Sequence, residues 1–189
     1  MASMSKAVNA TDYDMIPAFV PKGKDLVFAV IETPAGIRHK FAFEPKFGIM
    51  RLKMTLAEGL MWPYDYGFIP QTLADDGDPV DVLVLNDAPT FSGCLLDVRV
   101  VGGILLKKNG VKNDRLVACP RRRKGVALRT DEFDDIGDLP KEMLVGIERF
   151  LIEYSEEEGN KITFEGQCSR KDAYKIIDQV HKAFKKRRP

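Results

Sequence analysis

Cysteine is scarce in this chain: three residues, Cys94, Cys119 and Cys168, in 189. They lie far apart, and no Cys-x-x-Cys pair is present to hold zinc or a redox disulfide. They read as reduced thiols of a cytoplasmic protein. An excess of one charge is missing too, since 29 Lys and Arg against 28 Asp and Glu leave a formal net charge of +1. Bulk binding to nucleic acid or to an anionic membrane would call for a large basic excess, so neither partner is expected. No run approaches the roughly 18 apolar residues of a membrane helix, and no secretory apolar run stands near the start. Internal repeats and low-complexity tracts are absent as well.

What remains is ordinary globular material, 30% charged and 44% hydrophobic, in a length that suggests one domain with a proper core. We expect a flexible N-terminal segment over residues 1–19 and a single domain over 20–187. Leu26–Ile31 reads as a buried strand ending at a Thr33-Pro34-Ala35-Gly36 turn. The alternating stretches 38–44 and 49–54 extend it into an antiparallel meander. Trp62–Pro70, aromatic but broken by prolines and a glycine, suggests a loop lining a pocket. Cys94–Leu106 is the most strand-like segment, and Gly102-Gly103 inside it suggests a bulge or sharp bend. Arg121-Arg122-Arg123-Lys124 is a basic run of the kind that is usually a solvated loop, with anion binding as the lesser reading.

Two helices are well marked. Asp138 can cap the first, with Pro140 in its opening turn and a stripe of Met143, Leu144, Ile147, Phe150, Leu151 and Tyr154. Ser169 and Asp172 suggest a capping box for the second, whose stripe is Ala173, Ile176, Ile177, Val180 and Phe184. Many short strands followed by helices make an α+β, mainly β, domain, most simply a small β-barrel with the helices packed against it.

The chemistry concentrates in Asp75-Asp76-Gly77-Asp78-Pro79-Val80-Asp81. Carboxylates packed this closely repel, and a hard cation such as Mg²⁺ removes the difficulty by taking their oxygens as ligands. Gly77 permits a tight turn and Pro79 fixes φ, so the acids are held in place. An EF-hand is excluded, because counting from Asp76 its required sixth-position glycine is Asp81. An acidic surface turn is the plain alternative.

With the acidic run set between an aromatic loop and a strand, the chain resembles the family I soluble inorganic pyrophosphatases. The family's Asp-Gly-Asp-Pro-x-Asp pattern stands intact at Asp76–Asp81. Val30–Ala35, Tyr66–Leu73, Leu116-Val117-Ala118, Asp138-Leu139-Pro140 and Glu165-Gly166 also match, so the likeness runs from about Val20 to Phe184. The resemblance implies an OB-like five-stranded β-barrel with two main helices, a homo-oligomer, and Mg²⁺-dependent hydrolysis of pyrophosphate to two phosphates, with Mn²⁺ as a substitute. It assigns Asp76 and Asp81 as metal ligands and Asp78 as the base that orients the attacking water. Glu32, Lys40, Tyr66, Arg115 and Tyr154 are assigned to the substrate. Metal binding lowers the pKa of water from 15.7 toward about 7, and a positioned base contributes typically about 10²–10⁴-fold.

Seven positions depart from the family pattern, one of them Arg115, which stands for a lysine and keeps the charge but turns a point into a fork. Ala42 stands for a glutamate, Met54 for an arginine with Lys53 beside it, Trp62 for a tyrosine, and Ser155 for a lysine. Lys108 lies where an aspartate is expected, and Asn113 replaces another, with Asp114 adjacent. The site has thus lost acids and bases together, and Lys107 or Lys108 can place a fixed ammonium where the family binds a cation. The alternatives are another phosphoanhydride as substrate, or a non-catalytic binding protein on the same fold.

Overall fold

The computed structural model describes residues 13–122 and 124–187. Residues 1–12 of the expected N-terminal segment and Arg123 of the basic run lie outside them. Residues 13–19 hold a short 3-10 turn at Tyr13–Met15 and a bridge from Phe19 to Val27.

In chain order the strands are Val27–Thr33 (β1), His39–Glu44 (β2), Ile49–Thr55 (β3), Asp65–Phe68 (β4), Asp81–Val84 (β5), Leu95–Lys108 (β6), Val111–Lys112 (β7) and Arg115–Pro120 (β8). The helix Lys141–Glu157 (α1), the strand Ile162–Ser169 (β9) and the helix Arg170–Arg187 (α2) follow. The main sheet runs β1-β4-β5-β8-β6-β7, β9 adds to β6, and β1 also pairs with β6. All of these pairs are antiparallel except β5–β8, which is parallel.

The expected five-stranded OB-like barrel is therefore corrected to a seven-stranded mixed sheet, with β2 and β3 in a separate two-stranded sheet. The reason lies in β6. Its 14 residues are long enough to pair with β1 at Leu95–Val98, β8 at Val98–Ile104, β9 at Gly102–Lys108 and β7 at Lys107–Lys108. The expected bulge is there, as a register shift between Val100 and Gly102. The meander is corrected as well: β1 bonds to β4 and β6, and only the β2–β3 hairpin keeps the expected pairing.

The stretch read as a pocket loop, Trp62–Pro70, contains a buried strand, β4. Gly67 makes this possible, because a Cβ there would lie 1.9 Å from the Val30 carbonyl oxygen. β4 can approach β1 only where that side chain is missing.

The two helices stand as expected. Ile147, Phe150, Leu151 and Tyr154 of α1 are buried on one core cluster, and Ala173 and Ile177 of α2 on the other. Asp138 does not cap α1. Its Oδ2 accepts from the backbone N–H of Asp134 and Asp135 and closes a 3-10 turn at Ile136–Asp138. Pro140 is the α1 N-cap residue. At α2, Ser169 Oγ accepts from the Asp172 N–H at 3.3 Å and donates to Asp172 Oδ2 at 2.8 Å.

Candidate active site

Strand pairing brings the acidic run to a buried cation. In the parallel β5–β8 ladder Asp81 sits opposite Arg115, and in β4–β5 Tyr66 sits opposite Leu83. The loop before β5 is tied down by Thr72, whose hydroxyl donates to the Ile69 carbonyl at 2.6 Å and accepts from the Val80 N–H at 3.0 Å. Gly77 takes φ +92, a left-handed conformation that glycine adopts without steric cost. Asp76 Oδ1 then accepts from the Asp78 N–H at 3.2 Å, which leaves the Asp78 carboxylate exposed.

Arg115 is the hub of this wall. Its guanidinium pairs with Asp81 and donates to both the backbone carbonyl and the side-chain oxygen of Asn113. Asn113 in turn donates to Asp76 Oδ2. Burial opposes the Arg115 charge, but Asp81, with Tyr66 and Tyr154, outweighs it and holds the group above its usual range. Burial raises the Asp81 carboxyl, while Arg115 and the Tyr66 hydroxyl pull it down; the net direction is upward. Tyr66 is kept a phenol, chiefly by burial and also by the facing Asp81 carboxylate.

The opposite wall holds Lys40, Lys108 and Tyr154. Lys40 Nζ lies 2.6 Å from Glu158 Oε1 and also donates to the Tyr154 hydroxyl, while Lys108 Nζ lies 2.9 Å from Glu158 Oε2. Tyr154 itself donates to Glu158 Oε1 at 2.6 Å. Burial raises Glu158, but Lys40, Tyr154 and Lys108 together bring it down to about 2. Trp62, fully buried, packs its ring between the two phenols, with centroids 4.7 Å from Tyr66 and 5.0 Å from Tyr154. The tryptophan adds no hydroxyl, but it holds both tyrosines in place.

Glu32 completes the cleft. Its Oε1 accepts from the Phe43 N–H at 2.7 Å. Burial first, then the Asp81 and Asp78 charges, push it up to about 7 against the pull of that bond and Lys40. One cleft of about 1280 Å³ is lined by every residue that the resemblance assigns to metal, base or substrate: Glu32, Lys40, Tyr66, Asp76, Asp78, Asp81, Arg115 and Tyr154. A second hollow between residues 57–60 and α1 is lined by Glu58, Glu153, Glu156 and Glu157 and by no cation, so it does not suit a phosphate anion.

The acids in the main cleft offer only oxygen donors, which suits a hard divalent ion. Their mutual repulsion, visible at Glu32 and Asp81, is what such an ion relieves. Among the described residues no three His, Cys, Asp or Glu side chains form a preassembled metal cluster. Asp76 and Asp81 each engage a neighbour, Asn113 and Arg115, yet carboxylate oxygens keep lone pairs beyond one hydrogen bond. The donor set therefore fits the ion.

The departures from the family pattern divide by location. Ala42, Lys53, Lys108 and Asn113 line the cleft. Asp114 does not, because its Oδ1 accepts from the Leu106 N–H at 3.2 Å and its Oδ2 faces Lys112 at 3.2 Å. Met54 packs against the core, and Ser155 is buried. Glu158 was missed by the sequence reading. Its only signal is the i, i+4 spacing after Tyr154 at the end of a helix.

Carboxylates facing ammonium, guanidinium and phenol groups across one cleft define a metal-dependent phosphohydrolase class of site. Comparison with known proteins is specific on this point. A sequence model described as inorganic pyrophosphatase matches residues 29–185. The inorganic pyrophosphatase of Halalkalibacterium halodurans is 33% identical over 160 residues, covering 85% of this chain and 96% of the relative. That of Geobacillus stearothermophilus is 36% identical over 157 residues, covering 82% and 91%. The crystal structure of the Thermus thermophilus inorganic pyrophosphatase superposes with a TM-score of 0.79 at 32% identity, covering 89% of this chain and 98% of that one. The chain belongs to the family I soluble inorganic pyrophosphatases.

Proposed function

We propose that this chain hydrolyses inorganic pyrophosphate to two phosphates in a Mg²⁺-dependent reaction. The observation that carries the reading is one cleft in which Asp76, Asp78 and Asp81 face Lys40, Arg115, Tyr66 and Tyr154. Asp76 and Asp81 are the ligands for Mg²⁺, with Mn²⁺ as a substitute. When bound, the ion neutralises phosphate oxygens and acidifies water. Asp78, exposed to the cleft, accepts the proton of the attacking water and aims it at phosphorus. Lys40 and Arg115 bind the phosphate oxygens and stabilise the negative charge that shifts to the leaving phosphate, and Tyr66 and Tyr154 join them when their hydroxyls turn from Asp81 and Glu158 to the substrate. Glu32, near Asp78 and Asp81, holds a proton close to neutral pH and orients substrate at the rim.

Phosphate release from pyrophosphate with and without Mg²⁺ tests the reading, and absence of turnover with either Mg²⁺ or Mn²⁺ would overturn it. Asp78→Asn is expected to lower turnover by about 10²–10⁴-fold while the urea midpoint stays put. A variant of full rate would remove Asp78 from the role of base.

One observation favours a second substrate class. Tyr13, Phe43, Phe47, Phe68 and Phe184 also line the cleft, with the Tyr13 ring edge-on to Phe43 and Phe68 at 4.6 and 5.7 Å, a setting for the organic group of another phosphoanhydride. Phosphate release across pyrophosphate, polyphosphate and nucleoside diphosphates separates the two.

The further context of the proposal is a single domain over residues 20–187, acting in the cytoplasm as a homo-oligomer on a small phosphate substrate, without nucleic acid. Among the described residues no helix is long and apolar enough to cross a membrane. Val145 and Ile152, exposed one heptad apart on α1, support self-association, which light scattering on the purified chain tests.

A further inference from the structure

Resting on that reading, we propose that Lys108 binds a substrate phosphate and that Glu158 positions Lys108 and Lys40 as a paired anion subsite that works without a metal. The two lysines come from different sheets, β2 and β6, and reach opposite oxygens of one carboxylate. Glu158 does not line the cleft, whereas Lys40, Lys108 and Tyr154 do. The carboxylate therefore stands behind the cations and does not compete for the space in front of them. An ammonium has three donors. Lys108 uses one on Glu158, and Lys40 uses its contacts with Glu158 and Tyr154, so N–H groups remain for a ligand oxygen.

Glu158 is itself fixed from several sides. Asn160 Nδ2 donates to its Oε2 at 3.2 Å, Asn160 Oδ1 accepts from Asn109 Nδ2 at 2.8 Å, and Asn109 and Lys161 bond through their backbones. The turn after α1 is thus clamped to the β6–β7 turn. Two ammoniums and one carboxylate leave a net positive charge facing the cleft, with long side chains already ordered before an anion arrives. The neighbouring Lys107 serves as the contrast. It points to the other face of the strand, pairs with Glu165 at 2.5 Å, and does not line the cleft.

The test is calorimetric titration with inorganic pyrophosphate in excess chelator, beside phosphate release with Mg²⁺ on the same proteins. Wild type is expected to bind in chelator. Lys108→Ala should weaken that binding at least about tenfold, the scale of one lost charge-assisted hydrogen bond, and Lys107→Ala should not change it. The groups facing Glu158 are Lys40, Lys108, Tyr154 and Asn160. Glu158→Gln removes the charge that holds the two ammoniums, so binding should weaken. Glu158→Asp should recover part of that loss, and urea midpoints check that each variant is folded.

No wild-type binding in chelator, equal binding by the Lys108 and Lys107 variants, or a Glu158→Asp variant that binds no better than Glu158→Gln overturns the subsite. If hydrolysis proceeds while Lys108→Ala binds like wild type, the subsite falls and the hydrolase reading stands. If binding depends on Lys108 while no phosphate is released, the hydrolase reading falls and the subsite stands.

Discussion

Replacing Arg115 by Met removes the buried cation at the centre of the site while keeping most of its apolar bulk. The residue is 6% exposed, and its guanidinium satisfies Asp81, the Asn113 carbonyl and the Asn113 side-chain oxygen. Removing one partner of a buried pair costs about 3–5 kcal/mol, because the remaining charge is left without compensation. For a chain of this size each kcal/mol shifts Tm by about 2–4 °C, so a fall of about 10 °C is expected. Urea unfolding in chelator, followed through the fluorescence of Trp62, the single tryptophan, gives the number directly. The deficit should depend on pH. Burial already raises the Asp81 carboxyl from its ordinary value, and without Arg115 its charged form is disfavoured further. Protonation relieves that cost, so the deficit should shrink as pH falls toward the unfolded carboxylate value near about 4. Asp81→Asn in the Arg115→Met background should restore part of the loss. A single-variant cost below about 1 kcal/mol, or a double variant worse than the single, refutes the idea of a desolvated, mutually dependent pair.

Glu32 gives a second pH effect. Its pKa is raised from 4.5 to about 7, so the folded state holds a proton that the unfolded state has lost. Metal-free stability should therefore fall by about 3 kcal/mol as pH rises from 4.5 to beyond 7, and Glu32→Gln should abolish that slope in urea midpoints. Asn113→Asp sets a carboxylate against Asp76 in place of an amide donor; Tm should drop in chelator and recover more with added Mg²⁺ than it does in wild type. An equal Mg²⁺ response in the two proteins would remove Asn113 from the metal's surroundings. Gly67→Ala drives a Cβ into the Val30 carbonyl oxygen and should cost about 3 kcal/mol or more, or prevent soluble expression. A near-neutral urea midpoint would show that β4 can move off β1.

Local patterns carried much of this molecule. The α1 stripe ending at Tyr154, the bulge just before Gly102 and the acidic turn at Asp76–Asp81 follow from residue types within one helix, strand or loop. The strand count did not, because nothing in Leu95–Lys108 announces that one strand will pair with four others. Asp138 misled for a similar reason: a capping residue in the right place chose the nearer 3-10 turn. Asn113 and Asp114 could not be separated by composition. Strand geometry and the Leu106 N–H turn Asp114 away and leave the amide facing Asp76. Glu158 was hidden because its meaning depends on Lys40 and Lys108, which arrive from two different sheets.

The parallel pairing of β5 with β8 has a consequence for the order in which the chain is made. Asp76, Asp78 and Asp81 leave the ribosome before β6 and β7, and the cation that neutralises them in the folded wall, Arg115, comes only afterwards. At about 5–20 residues per second, the acidic half exists alone for a few seconds. During that interval no hydrogen-bond ladder can close on β5 from the β8 side. A nascent chain halted before β8 should stay sensitive to protease at the acidic turn, and one that has cleared Pro120 should begin to resist. The cleft is thus one of the late regions to become native, so a prematurely terminated product carries the acids without Arg115.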